Sequence, residues 1–178
     1  MGRWAFQCAI LENDMAENAF KQWYIQGLQA LHEASEQGHE AASATLTAVT
    51  APELKQLVEK DTELTQRHAE RVDELLRKVG SEPGTMPNKI IEGIRAGNKQ
   101  VVDAANDEAV RDASVITAAQ IALHYYIAAF GTLASSAKHL GMNDDAETLK
   151  RMVDETKQQD ERFTALAEDM ANKRAMAA

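Results

Sequence analysis

The stretch DASVITAAQIALHYYIAAFGTLASSAKHLG, residues 112–141, decides the fold of this 178-residue chain. It has no charged residue between Asp112 and Lys138, although 26% of the chain is charged. Apolar side chains occur on all sides of the helical axis, which predicts a helix covered on nearly every side by other helices. Polar residues such as Gln120 and His124 interrupt the run too often for a bilayer span of about 20 mostly apolar residues. We therefore predict the central helix of a soluble bundle and no membrane partner.

The composition limits both the fold and the partners. Proline is rare, with 3 residues, and glycine is modest, with 9, which favours helices because both residues weaken helix interiors. The formal net charge of −9 argues against a nucleic-acid partner, since binding to phosphates needs clustered Lys and Arg. The single cysteine, Cys8, cannot form an internal disulfide, so we expect a cytoplasmic protein.

Apolar residues at three-to-four spacing predict four long helices and one short helix. The predicted ranges are 16–46, 52–79, 88–104, 108–140 and 144–173. Thr50, Pro52 and Glu53 give the second helix a capping residue, a first-turn proline and the acid of a capping box, and Gly80 suits the left-handed residue that ends helices. The short helix falls in the connection between the second and third long helices, which is typical of a bundle with one long crossover.

Residues 1–14 lie outside this pattern, because the regular helical spacing begins only at Met15. We expect them to form a loosely held N-terminal tail, or not to be translated if translation begins at Met15. Residues 15–178 are then the bundle domain.

Short segments of the central helix carry a family resemblance, supported by other segments in register with them. These segments are Ala118–Gln120, His124-Tyr125, Ile127-Ala128, Gly131–Leu133 and Leu140-Gly141 in the central helix, and Tyr24 with Gly27-Leu28, Pro52–Leu54, Glu63 with Thr65, and Lys157 with Asp160 elsewhere. Together they resemble the YciE/YciF-like stress proteins, a branch of the ferritin-like fold, over nearly all of residues 20–170. The resemblance implies an all-α, ferritin-like four-helix bundle with a short extra helix in the crossover.

That family resembles di-iron carboxylate proteins, in which Glu and His side chains from four helices hold two metal ions. The resemblance places other residues at most of the ligand positions of this chain. They are Ser35 on the first helix, Leu64 on the second, with His68 where the family has a glutamine, Leu123 and Tyr126 on the central helix, and Thr156 beside the surviving Glu155 on the last.

Neutral side chains cannot compensate the charge of two buried divalent ions, and leaving that charge uncompensated is very costly. We therefore expect a degenerate di-iron site and no cofactor. Tyr126 is expected to fill the vacated volume, opposite the small residues Ser35 and Gly38. The leading interpretation is a stress-associated structural or interaction protein with no catalytic residues.

An alternative metal site remains open. Glu36 and His39 have the Glu-x-x-His spacing that places both side chains on one helical face, and His68 on the next helix could join them. Such a site would favour iron or zinc. With Glu155 or Asp160 it would make the chain a metal-binding oxidase or a peroxide-consuming protein, so the residues leave open whether it is an enzyme. A third possibility is a small-molecule binder with a dry pocket at the midpoint.

Other side chains carry structural expectations. His124 is expected to be a core histidine. Asp160 is expected to be partly buried, either hydrogen-bonded to a partner on the second or the central helix, such as His68, or as a residual metal ligand. Phe20, Trp23 and Tyr24 are expected to be exposed near the start of the first helix and to form the seam of a homodimer.

Overall fold

The computed structural model describes residues 2–84 and 86–177; for residues 2–14, 16 and 170 the description is limited to the helical backbone. All regular structure within those ranges is helical. The helices are α1 (Gly2–Thr45), α2 (Pro52–Lys78), α3 (Lys89–Asp103), α4 (Glu108–His139), α5 (Asn143–Leu166) and, after a π-helical turn at Ala167–Ala171, α6 (Asn172–Ala177).

Four of these helices are long and form the bundle in the described part of the chain. α1 packs mainly on α2, and α4 packs mainly on α5, while α3 lies against α4 and α1. Because α3 falls between α2 and α4, the predicted all-α bundle with a short helix in the crossover is confirmed.

Most helix ends agree with the prediction, and glycine ends two of the helices. Gly80 and Gly141 have φ angles of 75° and 73°, in the left-handed region that favours glycine. The first helix, however, begins at Gly2 rather than near Ala16. No proline or glycine lies between residues 3 and 26, so nothing in that segment interrupts a helix.

The prediction that residues 1–14 are a loose tail or are not translated stays a prediction. Their side chains, including that of Cys8, lie outside the described residues.

The start of α2 is held by a residue of another helix. Asp112 of α4 is 1% exposed, and its carboxylate accepts hydrogen bonds from the backbone N–H groups of Thr50 and Ala51, both at 2.9 Å. It also accepts a hydrogen bond from the Thr50 hydroxyl at 2.8 Å. Within α2 itself no side chain makes a capping hydrogen bond. The predicted local capping box is therefore wrong, because the acceptor comes from α4.

The buried apolar residues form two clusters, one toward each end of the bundle. The first includes Tyr24, Leu28, Leu31, Val72, Leu75, Leu76, Phe130, Leu149 and Met152. The second includes Leu54, Leu57, Val58, Val115, Ile116, Leu123 and Phe163. Each fully buried side chain of this kind stabilises the fold by about 1.5–3 kcal/mol, so each cluster stabilises one end of the bundle.

Two residues have the opposite exposure from that expected: Tyr24 is buried and His124 is exposed. Tyr24 is 0% exposed, because it shares a helical face with Leu28 and Leu31. The side chain of His124 is 67% exposed, and its Nδ1 lies 2.9 Å from the carbonyl oxygen of Gln120 in its own helix. The expectation of an exposed Tyr24 and of a core His124 was therefore wrong.

α4 is not covered on every side, contrary to the prediction. An exposed row runs along it at three-to-four spacing, made of Thr117, Ile121, His124, Ala128, Thr132 and Ser135. Small and neutral residues make the helix apolar on average without requiring burial of every face. α4 is also the one described helix that is long and apolar enough to cross a membrane. Of its most apolar 18-residue segment, 28% is buried in the bundle.

Candidate functional site

The bundle midpoint is the place where α1, α2, α4 and α5 approach each other around a cavity of about 10 Å³. The residues that line it are Ser35, Asp61, Leu64, Thr65, His68, Leu123, Tyr126, Phe130 and Thr156. A cavity of this size has room for about one water molecule. The midpoint is therefore filled by side chains.

The side chain of Tyr126 fills much of the midpoint between the four helices. Its hydroxyl donates a hydrogen bond of 2.6 Å to the carbonyl oxygen of Ala34, and its ring stacks on Phe130 with centroids 5.8 Å apart. Burial raises the pKa of the phenol well above its usual range, so the group stays neutral. A Cβ atom added at Gly38 would lie 2.3 Å from the Tyr126 hydroxyl oxygen. The predicted packing of Tyr126 against Gly38 is thus confirmed, and glycine is required there by close approach.

His68 and Glu155 form a polar pair at the edge of the midpoint. His68 Nε2 lies 2.9 Å from Glu155 Oε2, and Arg71 Nη1 donates to the same oxygen at 2.5 Å. Burial lowers the pKa of His68 although Glu155 opposes the shift. Partial burial acts to raise the pKa of Glu155, but the hydrogen bonds from Arg71 and His68 together lower it. The Glu155 carboxylate is therefore already paired with two side chains of the protein, His68 and Arg71.

Asp61 is the acid that sequence analysis missed. Its Oδ1 is buried and has no hydrogen-bond partner among the described residues, and burial raises the pKa of the carboxyl group from 3.8 to about 7. The sequence did contain a signal for this position. Leu54, Leu57, Val58 and Leu64 define the inward face of α2, and Asp61 lies on that face at the same spacing.

Asp61 makes stability depend on pH. The folded state binds the proton more tightly than the unfolded state, so the free energy of unfolding should fall as pH rises from about 4 to about 7. At about 1.4 kcal/mol per pKa unit, the loss for a shift from 3.8 to about 7 should be about 4 kcal/mol. Asp61→Asn should remove most of this loss and should be more stable than the wild type at pH 8.

Urea unfolding at pH 5 and pH 8 measures this difference. Glu63→Gln, at an exposed carboxylate of the same helix, is the matched control and should keep the wild-type pH dependence. Equal pH dependence in the wild type and in Asp61→Asn would contradict the assignment.

The predicted alternative metal ligands are not brought together. Glu36 is exposed and His39 is partly buried, with a buried Nδ1 that no described group contacts by hydrogen bond. His68 is paired with Glu155. Among the described side chains, those of residues 15, 17–84, 86–169 and 171–177, no group of three or more His, Cys, Asp or Glu has the arrangement of a metal site. Binding of iron or zinc by these residues stays a prediction.

Asp160 is partly buried, as expected, with 18% of its side chain exposed. Its neighbour on the central helix is His124, whose Nδ1 lies 3.6 Å from Asp160 Oδ1, rather than His68. This distance is too long for a hydrogen bond, and Asp160 Oδ1 is buried without a hydrogen-bond partner among the described residues.

With this geometry in place, similarity to known proteins identifies the family. A family model described as "Domain of unknown function (DUF892)" matches residues 19–176. The chain belongs to this family. Among curated relatives, this DUF892 protein is 31% identical to Protein YciF of Escherichia coli (strain K12) over 153 residues. The match covers 85% of this chain and 92% of the relative, so the chain is a homologue of YciF, as the sequence resemblance predicted.

Solved structures agree with this assignment. The crystal structure of the E. coli stress protein YciF has a TM-score of 0.81 at 30% identity, covering 86% of this DUF892 chain and 98% of the other. YcfI from Rhodopseudomonas palustris has a TM-score of 0.78 at 27% identity, covering 82% and 92%. A protein from Xanthomonas campestris, at 17% identity and a TM-score of 0.68 over 88% and 99% of the two chains, shares the fold. The ferritin-like fold is therefore shown.

Proposed function

We propose that this DUF892 protein is a stress-associated structural or interaction protein whose midpoint holds no di-iron centre. One observation carries the proposal: the phenol of Tyr126 fills the space between the four long helices, hydrogen-bonds to Ala34 and leaves a gap of only about 10 Å³. The association with stress is supported by the relative described as the E. coli stress protein YciF.

Electrostatics supports the same proposal. Two divalent ions carry four positive charges, and such ions are stable in a protein interior only when anionic ligands compensate them. Asp61 is the one acid among the residues that line the midpoint. Glu155, at the edge of the midpoint, already forms ion pairs with His68 and Arg71. This supply of negative charge is too small for a metal pair.

Metal analysis tests the proposal directly. Protein purified without chelator from cells grown with added iron and zinc should contain far less than one metal ion per chain by elemental analysis. A double variant that restores acids, Leu123→Glu with Tyr126→Glu, is the comparison and should take up more metal than the wild type. Two bound ions per wild-type chain would contradict the proposal. Stoichiometric metal that His68→Ala abolishes would instead favour the alternative, a metal-binding oxidase or peroxide-consuming protein.

We further propose that the protein acts as a cytoplasmic homodimer. Phe20 and Trp23 are 39% and 48% exposed, and their rings stack with centroids 5.8 Å apart. A stacked and exposed aromatic pair is the kind of anchor found at protein interfaces. Two copies that each carry a net charge of −9 repel each other, so an apolar contact of this kind is needed to hold them together.

Sedimentation equilibrium tests the dimer. The wild type should have twice the mass of one chain, and Trp23→Glu should have the mass of one chain because it places an acid in the proposed contact. Ile121→Glu, on the exposed row of α4, is the matched control and should remain dimeric. A dimer that survives Trp23→Glu contradicts the proposed seam, and a wild-type monomer contradicts the dimer itself.

A further inference from the structure

A second and much larger cavity, of about 490 Å³, lies beside the midpoint between α1, α2, α3 and α4. Its wall is mostly apolar and includes Ala41, Ala118, Ala122, Val58 and Ile94. Alanines face the cavity from both α1 and α4, and their short side chains leave this volume unfilled. A cavity of this size and character falls within the range of small-molecule sites.

One acid links the cavity to the midpoint. Asp61 lines both spaces. The residue is only partly buried, and its buried Oδ1 has no hydrogen-bond partner among the described residues. The neighbouring hydroxyl groups cannot serve it. Tyr126 donates its only hydroxyl proton to Ala34, and Thr65 donates its proton to the backbone carbonyl of Asp61 at 3.0 Å.

The basic residues that line the cavity already have other partners. Arg95 Nη2 lies 3.5 Å from Glu40, and Arg95 Nη1 donates to Gln37 at 3.4 Å. Lys99 Nζ lies 2.5 Å from Asp103. The Asp61 carboxylate therefore still lacks a hydrogen-bond donor or a cation near it.

We propose that this cavity binds a lipophilic amine, whose compact apolar body fills the alanine-lined volume and whose protonated amino group donates to the Asp61 carboxylate. Burial of the apolar body supplies the hydrophobic driving force. The ammonium group supplies the counter-charge that a buried carboxylate needs. The inference goes beyond the proposed function and does not depend on it.

Other ligand classes fit the site less well. A fatty acid would place a second carboxylate beside Asp61, which like-charge repulsion disfavours. A hydrocarbon would fill the volume but would leave the Asp61 carboxylate as unpaired as it is without a ligand, so it would gain nothing from that group. The raised pKa of Asp61, caused by burial, agrees with a carboxyl group that has no counter-charge near it. The other charged or titratable groups that line the cavity are Arg95, Lys99 and Asp103 of α3 and Tyr126 of α4.

Isothermal titration with three matched probes tests the proposal: 4-phenylbutylamine, 4-phenylbutan-1-ol and 4-phenylbutanoate. The amine should bind saturably, one per chain and about tenfold or more tighter than the alcohol, since a hydrogen bond to a charged group contributes about 1.5–3 kcal/mol. The carboxylate should bind most weakly. In Asp61→Asn the amine should lose its advantage over the alcohol.

A second pair of variants locates the site independently of Asp61. Ala122→Phe should fill the cavity and abolish binding of the amine while circular dichroism remains that of a folded helical protein. Ala128→Phe, on the exposed row of the same helix, is the matched control and should bind the amine as the wild type does. No saturable binding of the amine, equal binding of amine and alcohol to the wild type, an undiminished preference in Asp61→Asn, or undiminished binding in Ala122→Phe would each overturn the proposal.

Discussion

Replacing Tyr126 by alanine should lower the free energy of unfolding by about 4 kcal/mol, because deletion of a buried aromatic ring leaves a cavity that the surrounding helices cannot close. Tyr126 is 7% exposed and lies between the Ala34 carbonyl and Phe130. Chemical denaturation at constant pH measures the change. Tyr126→Phe is the control, and it should lose only about 1 kcal/mol, the contribution of one hydrogen bond. An alanine variant as stable as the wild type would show that the ring does not fill the midpoint.

The contact with Gly38 provides an independent test of the same packing. Gly38→Ala should destabilise the wild type by about 1–3 kcal/mol through overpacking, since its new Cβ would lie 2.3 Å from the Tyr126 hydroxyl oxygen. In the Tyr126→Phe background the nearest ring atom is at 3.4 Å, so the same substitution should cost clearly less. If both backgrounds lose the same stability, the two residues do not touch.

Asp112→Ala should cost about 3 kcal/mol, the second large effect. The substitution leaves the buried backbone N–H of Ala51 and the partly buried N–H of Thr50 without their acceptor, and an unmet buried donor costs about 1–3 kcal/mol. It also removes the only side-chain acceptor recorded at the start of α2 in the described part of the chain. Thermal and urea unfolding, followed by circular dichroism, measure the loss.

Asp107→Ala is the matched control for this effect. Asp107 caps its own helix, accepting from Ala109 and Val110 at 2.7 and 3.1 Å in an exposed position. Its removal should cost about 1 kcal/mol, as for an ordinary N-cap. Equal losses in the two variants would mean that Asp112 acts no differently from a local cap and does not tie α4 to α2.

Much of the fold could be predicted from the sequence because it depends on local rules. Apolar spacing gave the inward face of α2, including Leu54 and Leu75, and a glycine marked the end of that helix at Gly80. The small residues of α1 also indicated that Tyr126 packs against Gly38. A glycine is needed there because a Cβ atom would lie 2.3 Å from the Tyr126 hydroxyl oxygen.

The same local rules failed where a side chain's environment depends on which helices are neighbours. His124 and Tyr126 lie two residues apart in one uncharged run, yet one is exposed and the other is buried. Composition could not separate them, because Ala, Thr and Ser carry little information about which face of a helix is covered.

Patterns in the sequence were enough to predict a helical bundle of YciF type, which the solved YciF structure bears out. Apolar periodicity, helix-ending residues and residue chemistry act within a few helical turns, so they can be recognised in the local sequence. Packing between helices accounts for the features that no pattern predicted: Asp112 accepts hydrogen bonds at the start of α2, Asp61 Oδ1 is buried without a hydrogen-bond partner among the described residues, and a large apolar cavity adjoins Asp61. Hydrogen bonds across some 60 residues and the volume between helices arise from packing in three dimensions, which no local pattern records.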